Sequence, residues 1–266
     1  MKIGFIGTGN MGTAIIRGFI NKDASASARI YAFDADAKKL EALAKELKIT
    51  GCKSSEELVK SSDVIMLSIK PNTYAKVLDE IKDYISEKHI IVTMAAGISM
   101  NFIESCVGKP IKIIRIMPNT PAMVNESMTA VCKNKSVSES EFAEFYKVIT
   151  SIGKAEAVEE KLMDAVIGIS GSSPAYVYIF IEAMADGAVL EGMPREQAYK
   201  FAAQALIGSA KMVLETGLHP GQLKDMVCSP GGATIDAVRA LEKNGFRNAV
   251  IEAVIAATEK SKEMSR

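Results

Sequence analysis

Histidine is scarce in this sequence, with only His89 and His219 among 266 residues. Neither has an acidic neighbour arranged as a general-base dyad, and neither an HExxH pair nor a serine elbow is present, so metal-assisted hydrolysis and serine acyl transfer have no visible machinery. His89, at a strand start, reads as structural, and His219, in GLHPG, as a turn or helix-cap residue. Cysteine is sparse too. Cys52, Cys106, Cys132 and Cys228 lie far apart without CxxC spacing, which predicts free thiols and no metal site. Net charge is missing, with 32 Lys plus Arg against 32 Asp plus Glu, and this argues against a broad basic surface for gripping nucleic acid. An unbroken apolar run is missing as well. Residues 165–181 lack charge but contain Gly168, Ser170, Gly171, Ser172, Ser173 and Pro174, which predicts a broken helix rather than a membrane span. MKIGFIGTG has glycine where a signal peptide needs a continuous apolar segment, so the expected location is cytoplasmic, with no membrane partner.

What is present is ordinary globular material, 48% apolar and 24% charged, in a chain long enough for a full core and two domains. Residues 2–7 (KIGFIG), 29–34 (RIYAFD), 63–69 (DVIMLSI), 89–96 (HIIVTMAA) and 112–116 (KIIRI) read as strands. Between them, 37–47, 54–60 and 74–81 are charged and helix-favouring. This rhythm predicts an α/β domain with a mostly parallel sheet covered by helices, over residues 1–160. Residues 137–152 add a helix with a capping box at Ser138 and Glu141 and one apolar face through Phe142, Phe145, Ile149 and Ile152. From 161 to 266 the pattern is all helix, with Gly192, Gly217 and Gly245 as stops and Pro194 in a first turn. Residues 174–190 are apolar around most of the helix circumference, with only Glu182 and Asp186 charged. Burial on so many sides is more than a small helical domain supplies alone, which predicts burial against a second subunit.

The sharpest local signal is Gly7-Thr8-Gly9-Asn10-Met11-Gly12, which follows the first strand and opens a helix. In that context Gly7 makes the turn, Gly9 removes a side chain where a pyrophosphate comes close, and Gly12 lets helix pack on strand. Bare N–H groups and the helix dipole then meet the phosphate charge. Asp34 ends the second strand, where a carboxylate holds the 2′- and 3′-hydroxyls of NAD and repels the 2′-phosphate of NADP, while Lys38 and Lys39 pull the other way; a solvated loop acid is the alternative. Ser68, Lys70 and Pro71 end another strand at the edge where open parallel sheets place ligands. Asn119 and Thr120, between two prolines, read either as a rigid polar rim over a nicotinamide or as a plain rigid turn.

Ser229-Pro230-Gly231-Gly232-Ala233-Thr234 is the second informative stretch. Two glycines and a proline before a helix start expose a ring of backbone N–H groups, a nest for a small anion such as a substrate carboxylate, with Thr234 as the natural N-cap. If its hydroxyl points instead into a pocket, it can hydrogen-bond the ring nitrogen of a cyclic imine. Gly171-Ser172-Ser173-Pro174 opens the apolar helix in a comparable way, with Ser172 or Ser173 as cap. Hydride transfer to a protonated imine needs alignment and charge stabilisation more than acid–base residues, which suits a chain so poor in histidine.

The run LKDMVCSPGGATIDAVRALEKNGF, with GFIGTGNMG, SIKP, MPNTP and GSSPAY in order before it, resembles the pyrroline-5-carboxylate reductases along almost the whole chain. The resemblance implies a Rossmann-type domain followed by an all-helical dimerisation domain. It also implies reduction of L-1-pyrroline-5-carboxylate, a cyclic imino acid, to L-proline with hydride from reduced NADP or NAD. By the same resemblance, Ser229, Gly231, Gly232, Ala233 and Thr234 hold the substrate, with Thr234 at the imine nitrogen. Gly7, Gly9 and Gly12 bind the pyrophosphate, Ser68, Lys70 and Pro71 flank the dinucleotide, and Asn119 and Thr120 approach its nicotinamide. Thr8, Asn10 and Met11, within the glycine turn, and Asp34, after the second strand, are read from their positions as cofactor-binding too. A homodimer is implied, with five dimers forming a decamer in some relatives. One departure stands out: many relatives carry small hydroxyl or basic residues where this chain reads Phe33-Asp34-Ala35-Asp36, which leaves NADP and NAD both open. A related β-hydroxyacid dehydrogenase would share GxGxMG, but it needs a lysine that GISGSSP lacks; a dinucleotide sensor would have no need for SPGGAT.

Overall fold

The computed structural model describes residues 1–264. Its chain forms two compact units: Met1–Ser172 together with the chain from Ala256 onward, and Ser173–Ile255. The last strand closes near the change of rhythm at 160, whereas the compact boundary comes later, at Ser172.

In the first unit, strands β1 (Ile3–Ile6), β2 (Ile30–Phe33), β3 (Thr50–Gly51), β4 (Val64–Leu67), β5 (Ile90–Thr93), β6 (Lys112–Met117), β7 (Ser127–Lys133) and β8 (Gly153–Ala157) make one sheet in the order β3-β2-β1-β4-β5-β6-β7-β8. All neighbours are parallel except β6 and β7. Helices α1 (Asn10–Lys22), α2 (Ala37–Leu47), α3 (Ser55–Ser61), α4 (Tyr74–Ile81), α5 (Met100–Val107), α6 (Glu139–Ile149) and α7 (Met163–Val166) accompany it. Every residue of β1, β4 and β5 is buried, the reason these strands read as continuous apolar runs. Phe5, Ile15, Phe19, Leu43, Phe145 and Ile149 fill one side of the sheet, and Ile6, Leu58, Tyr74, Leu78, Ile81 and Ile103 fill the other. The sequence had not indicated β3, β7, β8 or α5. β3 is two residues long, and β8 (GKAEA) is a polar edge strand with no buried residue.

The capping box of α6 forms as its spacing predicts, with Ser138 and Glu141 each bonding the other's backbone. The Lys112 ammonium, 2.6 Å away, and then the Ser138 hydroxyl hold the Glu141 carboxyl down at about 2. A depressed carboxyl stabilises the fold fully above its ordinary value of 4.5 and ceases to do so as pH falls through about 2. Glu141→Gln therefore lowers Tm near neutrality, and the gap from the parent protein closes on acidification. A gap of constant size across that range would show that Glu141 contributes no charge-dependent stability.

Arg115 on β6 is 5% exposed, and its Nη1 donates to Glu160 Oε1 at 3.0 Å, which also accepts from the Met100 amide at 2.8 Å. Its Nε and Nη2 have no partner among the described residues. The two sides of this pair are unequal. Glu160→Leu strands a buried guanidinium and should cost about 3–5 kcal/mol. Arg115→Met refills the space of the aliphatic stem, removes two unsatisfied donors and leaves a half-exposed carboxylate, so it should cost far less. Urea unfolding of the two variants checks this, and equal losses would refute it.

Helices α8 (Ser173–Leu190), α9 (Arg195–Thr216), α10 (Pro220–Val227), α11 (Ala233–Lys243) and α12 (Phe246–Met264) follow, the last turns of α12 belonging to the first unit. Gly192, Gly217 and Gly245 all have positive φ and terminate helices as expected. The broken helix expected at 165–181 is corrected. Ile167–Gly171 is a π turn, with the Ser172 amide donating to Ile167 O at 2.8 Å, and the run Glu160–Leu190 is long and apolar enough by length and composition to cross a membrane. The chain stays helical because glycine and serine accept the wider i→i+5 turn, and Pro174 falls in the first turn of α8, where its missing N–H costs nothing. Within the second unit α8 buries only Ala185, leaving Tyr178 60%, Ile179 65% and Leu190 87% exposed.

Candidate dinucleotide and substrate sites

The sheet order turns outward in both directions from β1 and β4, which makes their C-terminal ends the switch point where doubly wound sheets receive ligands. Both candidate cofactor loops are there. Gly7 has φ +94°, and a Cβ on it would lie 2.6 Å from Ser68 O, so glycine is required by conformation and by space. A Cβ on Gly12 would lie 2.7 Å from Gly7 O. At Gly9 a Cβ would meet nothing within 4 Å. Gly9 is therefore the fingerprint glycine whose missing side chain faces open space, where a phosphate would come. It is also the N-cap of α1; no side chain caps that helix, and its first turn carries no acid. The opening N–H groups of α1 are left to an anion.

Three side chains brace this loop. Asp34 Oδ2 accepts from the Thr8 amide at 2.6 Å and from the Thr8 hydroxyl at 2.7 Å, while Oδ1 accepts from the Asp36 amide at 3.0 Å. The Thr13 hydroxyl donates to Thr8 O at 2.9 Å, and the Ser68 hydroxyl donates to Gly7 O. Partial burial works to raise the Asp34 carboxyl, but the amides of Asp36 and Thr8, the Thr8 hydroxyl and the Lys39 charge outweigh it and hold the group below the ordinary carboxylate range. Asp34 is thus a fixed anion, and Ser68 supports the loop from beneath. Thr13 had escaped the sequence reading, since nothing in the pattern shows that its hydroxyl turns back to Thr8.

Thr8, Gly9, Asn10, Thr13, Lys39 and Thr120 share a cleft of about 480 Å³, so Thr120 is brought to the glycine loop. Asn119 is not free to face a ligand with its side chain. Its Oδ1 accepts from Ser127 Oγ at 3.0 Å and the Met128 amide at 3.1 Å, and its Nδ2 donates to Ser170 O at 3.1 Å. Met11 turns its side chain toward the core. Lys70 is exposed just past β4, and its carbonyl accepts from the Thr73 amide and hydroxyl, with Pro71 opening the short turn between them. His89 is buried, its Nδ1 accepting from the Ser86 amide at 2.9 Å, and burial lowers its basicity, in keeping with a structural role.

The second candidate loop belongs to the second unit. Ser229 O accepts from the Gly232 amide at 3.1 Å, with Pro230 and Gly231 (φ +67°) between them, the residues a type II turn demands. The turn delivers Gly232, not Thr234, as the N-cap of α11, and no side chain caps the helix. The N-cap expected at Thr234 is therefore corrected by two positions, because the turn closes on Gly232 and the helix begins at Ala233. Thr234 is half-buried in the first turn, and its hydroxyl makes no hydrogen bond among the described residues. The amides of Ala233, Thr234 and Ile235 lack intrahelical partners by position. Asp236, the acid in that turn, pairs with Arg239 at 3.5 Å. The loop offers open amides and, in Ser229 and Thr234, hydroxyls that make no hydrogen bond among the described residues, which suits a small carboxylate with a polar atom nearby.

Residues 160–264 match the family model described as pyrroline-5-carboxylate reductase dimerisation, and residues 2–97 match that of NADP oxidoreductase, coenzyme F420-dependent. The chain is 50% identical to the pyrroline-5-carboxylate reductase of Escherichia coli strain K12, over 100% of this chain and 98% of that one. It is 41% identical to the enzyme of that name from Methanosarcina acetivorans, over 100% and 98%. A crystal structure of Plasmodium falciparum pyrroline carboxylate reductase with NADP bound superposes with a TM-score of 0.92 at 35% identity, over 100% of this chain and 98% of that one. With relatives this similar along its full length, the chain belongs to the pyrroline-5-carboxylate reductase family.

Proposed function

We propose that this protein reduces L-1-pyrroline-5-carboxylate to L-proline, the closing step of proline synthesis, using NADPH or NADH. Full-length identity to enzymes of that name supports the reaction. The local observation that carries it is at α11: open amides without a side-chain cap, beside a Thr234 hydroxyl that makes no hydrogen bond among the described residues. A reduced nicotinamide dinucleotide, held through its pyrophosphate at the start of α1, would supply the hydride. The chain's own residues do the rest. The bare start of α1 and the side-chain-free space at Gly9 fit the pyrophosphate. The amides of Ala233 and Thr234 hold the substrate carboxylate, and the Thr234 hydroxyl bonds the ring nitrogen as its charge changes from iminium to amine. No general base is needed to reduce an already protonated imine, in keeping with two histidines, one buried and one capping α10. A steady-state assay with pyrroline-5-carboxylate against both reduced cofactors tests the reading, and no turnover with either would end it.

The protein is a homo-oligomer by its dimerisation domain. We propose a homodimer built on α8, open to assembly of five dimers into a decamer, and a cytoplasmic protein without membrane or nucleic-acid partners. The exposed Tyr178 and Ile179 on a helix this apolar support a second copy as its cover. Tyr178→Glu with Ile179→Glu should dissociate the assembly to chains of 28.6 kDa by light scattering in detergent-free buffer. Retention of the parent mass would show that α8 lies outside the interface.

A further inference from the structure

The acid at the end of β2 is the position from which dinucleotide domains commonly read the adenosine ribose, taking its two hydroxyls on one carboxylate. In this protein the carboxylate is already occupied. Oδ2 accepts from both the amide and the hydroxyl of Thr8, and Oδ1 accepts from the amide of Asp36. A carboxylate has about four lone-pair sites. Three are in use, and the one left on Oδ1 takes a single hydroxyl, so clamping the ribose diol would require releasing Thr8.

Thr8 is itself wholly buried, and its carbonyl is tied to the Thr13 hydroxyl at 2.9 Å. Its neighbour Gly7 is pinned by its amide, which donates a hydrogen bond to Phe33 O at 2.8 Å. Releasing Thr8 would therefore leave a buried amide and hydroxyl unpaired and loosen the turn between Gly7 and Gly9, the segment that presents the open space for phosphate.

We propose that Asp34 is a positioning residue that acts on the dinucleotide through Thr8, holding the glycine turn in the shape that receives the pyrophosphate, rather than a selector between 2′-hydroxyl and 2′-phosphate. This rests on the dinucleotide reading above. Its consequence runs against the expectation from sequence: since the pyrophosphate is common to NADH and NADPH, Asp34 affects the two alike.

The test is calorimetric binding of NADH, NADPH, ADP-ribose and 2′-phospho-ADP-ribose to the intact protein and to Asp34→Ala, Asp34→Asn, Thr8→Val and the double variant Thr8→Val/Asp34→Ala, with Tm recorded for each. The expected result is that D34A weakens all four ligands together by about tenfold or more, and that D34N, which keeps one acceptor for Thr8, recovers part of the loss. T8V should weaken all four more mildly, and the double variant should be no worse than D34A, because both changes break one interaction. If D34A does not fold, D34N and T8V carry the test. A selective gain for the 2′-phosphorylated ligands in D34N, by about tenfold in the ratio, would make Asp34 a reader of the ribose and overturn the proposal. Additive losses from Thr8 and Asp34 would overturn it too. Failure of the parent protein to bind any of the four would overturn the dinucleotide reading itself, a result no change in ratio can imitate.

Discussion

Thr234→Ala should lower kcat by about 10²-fold, the scale of loss when one preorganised hydrogen-bonding group at the reacting centre is removed, here a hydroxyl oxygen that accepts from the iminium N–H. The dinucleotide Kd should stay within about twofold of the parent value, since the side chains that brace the glycine loop, Asp34, Thr13 and Ser68, are all residues of the first unit. The reasoning rests on how the hydroxyl is left. Gly232 takes the N-cap position and no side chain caps α11, so Thr234 is not needed to start its helix. Removing a capping hydroxyl would cost stability, whereas removing an uncommitted one costs only what the substrate was using. Tm and kcat therefore separate the two roles. A drop in Tm with kcat preserved would return Thr234 to a structural part, and matched turnover at saturating substrate would remove it from the chemistry.

Gly9→Val should abolish tight dinucleotide binding while leaving the fold intact. Gly7 and Gly153 cannot report so cleanly, because both have positive φ and both have backbone where a Cβ would go. Gly9 differs: its φ is −64°, which any residue adopts, and its Cβ would meet no atom within 4 Å. Valine should therefore be tolerated by the protein and collide only with what fills that space from outside. We expect Kd for NADPH and NADH to rise by about 10²-fold or more, the loss of roughly 3 kcal/mol of phosphate contact, with Tm almost unchanged. Undiminished affinity measured by calorimetry would mean the pyrophosphate lies elsewhere. The same variant gives a control for the proposal on Asp34, since Gly9 acts by direct contact and Asp34 through the shape of the turn.

Much of the first unit could be read from residue order. The bounds of α2 and α4 match the charged stretches at 37–47 and 74–81, β1, β2, β4 and β5 fall inside the apolar runs, and β6 outruns its own by one residue, Met117. These elements are legible because strands buried on both faces must be apolar throughout, while the covering helices keep one wet side. The same rule hides β8, whose edge position lets it be polar, and β3, too short to show any period. The GISGSSP run misled for another reason: glycine and serine break helices in isolation, yet here a π turn absorbs them and the helix continues into α8.

The site divides along the same line. Sequence by itself determined the family, the α/β order, the glycine turn and the SPGG turn, because each depends on local backbone demands that few residue types satisfy, above all positive φ at Gly7 and Gly231. Only the tertiary structure decided where side chains spend their hydrogen bonds. It gave Asp34 to Thr8, Asn119 to Ser127 and Ser170, and left the Thr234 hydroxyl uncommitted. Such assignments depend on which distant segments meet in space, and a hydrogen bond across the fold leaves no periodic trace in the order of the residues.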